Sequence, residues 1–177
     1  MYYSKLAKSS THSGPGIRCT LYVSGCRNNC PGCQNPEARS FTAGLPYNND
    51  IEDSIIAQIR KNHIAGLTLC GGEPMEPENQ AALVSLVRRI KVETGKSVWC
   101  YTGYEFEDLM PGGKKYCKDT FDLLNNIDVL IVGKYIESQK DITSANLWRG
   151  SRNQKILNLS ESLMAGRPIM LTGIPNN

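Results

Sequence analysis

Several familiar signatures are missing from this 177-residue chain, and each absence removes a class of function. No run of 18 apolar residues is present, so nothing reads as a bilayer-spanning helix. Charge of neither sign dominates: 20 Lys and Arg against 17 Asp and Glu leave a formal +3, too slight to imply a nucleic-acid or membrane surface. Aromatic residues make up 7% of the chain and do not interleave with basic ones, so no stacking platform for nucleic acid is indicated. Repeats, low-complexity tracts and dividing linkers are absent, which leaves one α/β domain over residues 1–177 as the expectation. The first ten residues, MYYSKLAKSS, lack the apolar stretch of a secretory signal, so a cytoplasmic location is expected.

What the chain does have is seven cysteines. An odd number in a reducing compartment argues against a disulfide framework and for metal or redox chemistry. Cys26, Cys30 and Cys33 crowd into SGCRNNCPGC, whereas Cys19, Cys70, Cys100 and Cys117 are dispersed and read as small core residues. A C-x3-C-x2-C loop can bring three thiolates to one metal centre. Electron-transfer clusters and structural zinc usually take four protein ligands, whereas three leave a position open for a substrate. The competing reading is structural zinc held by Cys30 and Cys33, with Cys19 or His12 helping to complete the set.

The hydrophobic pattern alternates strand and helix. CTLYVSG (Cys19–Gly25), GLTLC (Gly66–Cys70), SVWCY (Ser97–Tyr101) and IDVLIV (Ile127–Val132) read as strands. Helices are expected at Ile51–Asn62, capped by Asp50, at Lys118–Asn126, and from Pro77 to a stop at Gly95. The long helix should turn Leu83, Val84, Val87 and Ile90 inward. From Ser160 onward the reading is open: RPIMLTG could be a strand, and IPNN looks like a loose end. Such alternation implies right-handed crossovers and a mainly parallel sheet, either open or a partial (β/α) barrel, since a complete barrel takes about 250 residues.

Ligands of parallel α/β folds bind at the carboxyl ends of the strands. SGCRNNCPGC, GGEP (Gly71–Pro74), YTGY (Tyr101–Tyr104) and VGKY (Val132–Tyr135) each follow a strand, so these four segments should converge on one site. In GGEP, paired glycines would let a ligand approach the main chain, and Glu73 could receive an ammonium group. His63 reads as a surface or capping residue, and WRGSRNQK (Trp148–Lys155) as a solvated loop.

These pieces together, with GPGIRCTLYVSGC leading into the cysteine loop, resemble the radical S-adenosylmethionine enzymes. More narrowly they resemble the glycyl-radical activating branch whose partner is the large subunit of anaerobic ribonucleoside-triphosphate reductase. CPGC, LTLCGGEPMEPEN, VWCYTGYEFEDL, VGKY and LWRGSRNQ carry the narrower likeness, which runs from about Tyr2 to Leu157. The resemblance implies that Cys26, Cys30 and Cys33 bind three irons of one 4Fe-4S cluster, leaving the fourth iron to S-adenosylmethionine. It further implies cofactor contacts from Gly32, Cys33, Gln34, Gly71, Gly72, Glu73, Tyr101 and Thr102, with no catalytic residue beyond the cluster ligands. Reductive cleavage of S-adenosylmethionine would yield a 5'-deoxyadenosyl radical that takes hydrogen from a glycine of the partner. An electron donor such as a flavodoxin is implied as well, and docking is expected near the cysteine loop and Trp148–Gln154. Gln34 stands where relatives often carry Tyr, and Val132 where the fourth strand usually ends in Asp, so no side-chain acceptor is available there. Activation of a different glycyl-radical enzyme, or a non-enzymatic zinc or iron-sulfur module, are the alternatives.

Overall fold

A computed structural model of the chain describes residues 1–140 and 148–173. Leu147 and the IPNN ending therefore lie outside the described residues. Seven strands, β1 (Tyr2–Ser10), β2 (Ile17–Val23), β3 (Leu45–Pro46), β4 (Ile64–Gly71), β5 (Ser97–Tyr101), β6 (Val129–Val132) and β7 (Lys155–Asn158), form one sheet in the order β3-β1-β2-β4-β5-β6-β7. Its centre, β2-β4-β5-β6, is parallel, while β1, β3 and β7 add antiparallel pairings at the margins. The two ends of the sheet are different strands, so it stays open as expected for a partial barrel.

Helices α1 (Asn49–Ile59), α2 (Pro77–Thr94), α3 (Thr120–Leu124) and α4 (Leu159–Ala165) complete the regular structure. Among the described residues no helix is long and apolar enough to cross a membrane. Proline in the first turn starts α2, and Gly95 ends it in the left-handed region at φ 64°. Its buried stripe is Leu83, Leu86, Val87 and Ile90; Val84, expected inside, is only partly buried. α1 begins earlier than Ile51 because Asn48 rather than Asp50 caps it, accepting the Ile51 N–H at 3.1 Å. α3 is shorter than the Lys118–Asn126 pattern suggested.

Strand parity divides the sheet into two faces. On one face Cys19, Leu21, Val23, Leu67, Leu69, Val98, Cys100, Leu130 and Val132 pack with residues of all four helices into the main core. The opposite face carries Arg18, Thr20, Thr68, Trp99 and Ile131, with a smaller cluster of Trp99, Val129, Ile131, Trp148 and Ile156. Val132 is thus a core side chain, and Cys19 is too deep in the helix-covered core to complete a zinc site in the cysteine loop.

Pattern reading missed β1, β3, β7 and α4, each for a physical reason. β1 buries only Tyr3 of its nine residues, so it lacks an apolar alternation to read. β3 and β7 have two and four residues, too few to establish a period. α4 occupies the start of the ambiguous segment, capped by Asn158, and RPIMLTG contributes a single bridge, Leu157 to Met170, instead of a strand.

Candidate active site

A cavity of about 690 Å³ opens at the carboxyl ends of the parallel strands. Cys26, Cys30 and Cys33 line it together with Gln34, Gly71, Gly72, Glu73, Tyr101, Thr102 and Gly133, so all four strand-end segments meet there. Gly32 does not line the cavity. At φ 65° it turns the chain, and a Cβ there would come within 2.6 Å of the Glu137 carboxylate oxygens. Cys70 was expected in the core, yet strand parity puts it on the face opposite the helices, where it lines the cavity too. His12 also lines the cavity, whereas His63 is exposed as expected.

The glycines of GGEP line the cavity and have a second task besides. A Cβ on Gly72 would lie 2.7 Å from the Gly25 carbonyl oxygen, 2.8 Å from that of Ala38 and 3.0 Å from that of Val23. Gly72 N–H donates to Val23 O at 2.7 Å, and Glu73 N–H to Gly25 O at 2.9 Å. The absent side chain therefore admits the protein's own backbone, binding the cysteine loop against the end of β4.

Two buried carboxylates then fix that loop. Glu73 Oε2 accepts from the Asn28 amide at 2.8 Å and from Gly103 N–H at 2.7 Å, while Oε1 accepts from Met75 N–H at 3.0 Å. Burial among neutral donors pushes its acid up to about 7, against the lowering effect of those hydrogen bonds. Thr102 adds a further side-chain hydrogen bond, so all of its roughly four acceptor positions are engaged. Glu76, fully buried, accepts from Arg27 N–H at 3.0 Å, Arg27 Nη1 at 2.8 Å, the Tyr104 hydroxyl at 2.7 Å and Lys115 Nζ at 2.7 Å. Burial alone would raise its acid; hydrogen bonds from Lys115, Tyr104 and Arg27 outweigh that and hold it below the ordinary value. Arg27 also stacks on Phe41, 4.3 Å from the ring centroid. Neither Asn28 nor Glu76 was picked out from sequence. The only signal was the second carboxylate three positions after Glu73, within the same segment.

The chemistry of this donor set can be tested against metals. Iron-sulfur clusters are held by cysteine thiolates. Three thiols sharing one cavity wall suit a larger, multi-iron group. Two cations brace the loop's backbone: Arg39 donates to the Cys30 carbonyl at 2.7 Å, and Lys134 to that of Asn28 at 3.2 Å. Burial pushes the Cys26 thiol up to about 11, so binding a metal there must expel a proton.

The segment expected to be a solvated loop proves to be part of the wall. Trp148, Arg149, Gly150 and Gln154 line the cavity. Gln154 Oε1 accepts from Gly150 N–H at 2.8 Å and Ser151 N–H at 3.2 Å, and its Nε2 donates to Gly133 O at 2.9 Å. These bonds tie the turn to the end of β6.

Comparison with known proteins agrees with this arrangement. Residues 12–157 match a family described as a 4Fe-4S single cluster domain. A Vibrio cholerae protein named anaerobic ribonucleoside-triphosphate reductase-activating protein is 41% identical over 159 residues, covering 88% of this chain and 97% of the relative. Proteins of that name from Salmonella typhi and bacteriophage T4 are 39% and 33% identical, over 83% and 88% of this chain and 92% and 93% of their own lengths. With a cluster-domain match over most of its length and relatives aligned almost end to end, the chain belongs to the family of anaerobic ribonucleoside-triphosphate reductase-activating proteins.

Proposed function

We propose that this protein is a radical S-adenosylmethionine enzyme that generates a glycyl radical on the large subunit of anaerobic ribonucleoside-triphosphate reductase. The observation that carries this reading is the meeting of three loop thiols with the GGEP, YTGY and VGKY strand ends around one open cavity. Cys26, Cys30 and Cys33 would hold a 4Fe-4S cluster, which when bound supplies the electron that breaks the sulfonium carbon-sulfur bond of S-adenosylmethionine. Glu73 would receive the methionine ammonium group by sharing the carboxylate that holds Asn28 and Gly103 in place. Tyr101 and Thr102 continue the wall from the end of β5, and Gln34 faces the cavity beyond the third cysteine. Gly32 contributes by turning the loop between Pro31 and Cys33. The cavity walls would shield the reacting atoms from water, and its open mouth would admit a glycine of the partner. A reductant of flavodoxin type would deliver the electron.

Anaerobic reconstitution tests the reading directly. The wild-type protein should take up four irons per chain, as the cluster type requires. Its electron spin resonance spectrum should change on addition of S-adenosylmethionine, and incubation with the reductase should give a glycyl-radical signal. Cys26→Ala, Cys30→Ala and Cys33→Ala should each lose the cluster, since a three-cysteine site has no spare thiolate. Cys117→Ala should keep it, because that thiol donates to Gln80 Oε1 at 3.3 Å, among residues that do not line the cavity. One equivalent of colourless zinc in the wild type would refute the proposal; a radical on another glycyl-radical enzyme but none on the reductase would overturn the partner.

A further inference from the structure

The match to the cluster-domain family ends at residue 157, so α4 and the residues that follow it lie outside the shared domain. They are nevertheless built into the sheet. Beyond α4 the chain turns at Gly166, where φ is 63°, and runs antiparallel along the outer edge of β7. Asn158 N–H donates to Ile169 O at 3.0 Å, Leu171 N–H donates to Ile156 O at 2.9 Å, and Leu157 bridges to Met170. Ser162, fully buried, locks the return: its hydroxyl donates to Asn158 O at 2.6 Å and accepts from Ile169 N–H at 2.9 Å. An edge strand offers unpaired N–H and C=O groups, and here the chain's own end takes them.

This strap also reaches the wall of the cavity. Leu171, partly buried, packs against the cluster of Trp99, Val129, Ile131, Trp148 and Ile156. Within that cluster Trp148 meets Trp99 edge-on, with centroids 6.5 Å apart and planes at 82°. Trp148 begins the wall that continues through Arg149, Gly150 and Gln154, and its φ of 70° is a left-handed conformation that strains so large a side chain. Such strain persists only where the surroundings over-determine it. Gln154 fixes the far end of the turn through Gly133, Gly150 and Ser151. The near end depends on packing around the indole, to which Leu171 contributes. The cysteine loop is anchored separately, by the amides of Gly72 and Glu73 and by the Glu76 carboxylate.

We propose that residues 167–171 are a positioning strap: Leu171, seated on the Trp99 and Trp148 cluster, holds the Trp148–Gln154 wall in place and thereby sets how well the cavity receives the glycine-bearing segment of the reductase. The part of this that concerns the reductase rests on the activating-enzyme reading; the holding of the wall does not. Leu171 is a positioning residue, because it acts through Trp148 and does not line the cavity itself. Loosening the wall from behind leaves the anchors of the cysteine loop untouched, so the strap governs reception of the partner and not retention of the cluster.

The test compares the reconstituted full chain with Leu171→Ala by anaerobic hydrogen exchange. The Gly150 and Ser151 amides, which donate to Gln154, should exchange about tenfold faster in the variant, as a local unit that has lost a packing contact does. The Gly72 and Glu73 amides, which donate to Val23 O and Gly25 O, should keep their wild-type rates. Leu171→Met, which refills the space, should restore the wall. Ser162→Ala, which frees the return of the strap without touching the cluster of tryptophans, should give the same pattern and replaces Leu171→Ala if that variant does not fold. Faster exchange confined to the strap and β7 overturns the inference by making the strap an edge cover alone. An equal rise at both sets of amides overturns it by making Leu171 a contributor to overall stability. With the reductase added, Leu171→Ala should bind wild-type iron, and its KM for the reductase in glycyl-radical formation should rise severalfold with kcat unchanged. An unchanged KM overturns the strap's role in receiving the partner. A wild type that forms no radical overturns the activating-enzyme reading, whereas the exchange rates still decide whether the strap holds the wall.

Discussion

Glu73 and Glu76 sit three residues apart, both buried, and their environments drive them in opposite directions. Glu73 is surrounded by neutral donors, so desolvation prevails and its acid rises from 4.5 to about 7. Glu76 accepts hydrogen bonds from Lys115, Tyr104 and Arg27, which together more than offset burial. Opposite pH dependences follow. Between pH 4.5 and about 7 the native protein keeps a proton on Glu73 that the unfolded chain has released, so this group makes stability fall as pH rises through that window. Glu76 contributes stability above the ordinary carboxylate range that is lost as pH falls through its lowered folded value. Urea unfolding measured across pH should show Glu73→Gln flattening the first slope and Glu76→Gln flattening the acid-side loss. Glu76→Ala should cost about 3 kcal/mol at pH 7, the lower end for breaking a buried pair, because Arg27 is half exposed. Glu73 was readable from sequence as a candidate because it follows paired glycines after a strand. Glu76 was not, because its importance depends on Arg27, Tyr104 and Lys115, which are distant in the chain.

Loops and caps decide how the elements are joined, and glycine has unlike roles in two of them. Gly95 ends α2 at φ 64° with nothing within 4 Å of a would-be Cβ, so Gly95→Ala should cost only backbone strain, about 1 kcal/mol, and leave the cavity untouched. Gly72 is closed in by three carbonyl oxygens of the segments on either side of the cysteine loop. Gly72→Ala must push that backbone aside, and should lower both the melting temperature and the iron bound per folded chain. Equal iron uptake by the two variants would contradict the role assigned to Gly72. α2 was legible because Pro77 and Gly95 mark its ends locally, and β5 because Ser97–Tyr101 is a compact run of strand formers. β1 was not legible. Its polar residues are ordered by hydrogen bonding to β2 and β3, which leaves no trace in its own periodicity.

At the scale of the molecule, the sheet's centre carries the stability and its rim carries the chemistry. β4 is hydrogen-bonded on both sides, to β2 and β5, and Leu67 and Leu69 are fully buried. Native-state hydrogen exchange should find its amides and those of β2 and β5 slowest, opening only with global unfolding. The two-residue β3 and residues 167–173, which hold only a single bridge to β7, should exchange by local opening. Protection in β3 equal to that in β4 would show that the sheet opens as one unit.

The sequence by itself determined the fold class, the parallel centre of the sheet and the set of strand-end segments that meet at the cavity. These depend on short-range features: apolar runs, proline and glycine at boundaries, and cysteine spacing within one loop. Tertiary structure alone decided that the GGEP glycines admit backbone, that Cys70 joins the cavity, and that Glu76 anchors the loop. It also turned WRGSRNQ from an expected surface loop into a wall, with Trp148 against Trp99, 49 positions earlier in the chain. The physical reason is common to all of these. A local pattern states which side chains an element can bury, whereas a contact between distant elements depends on strand order, on facing and on the space that packing leaves.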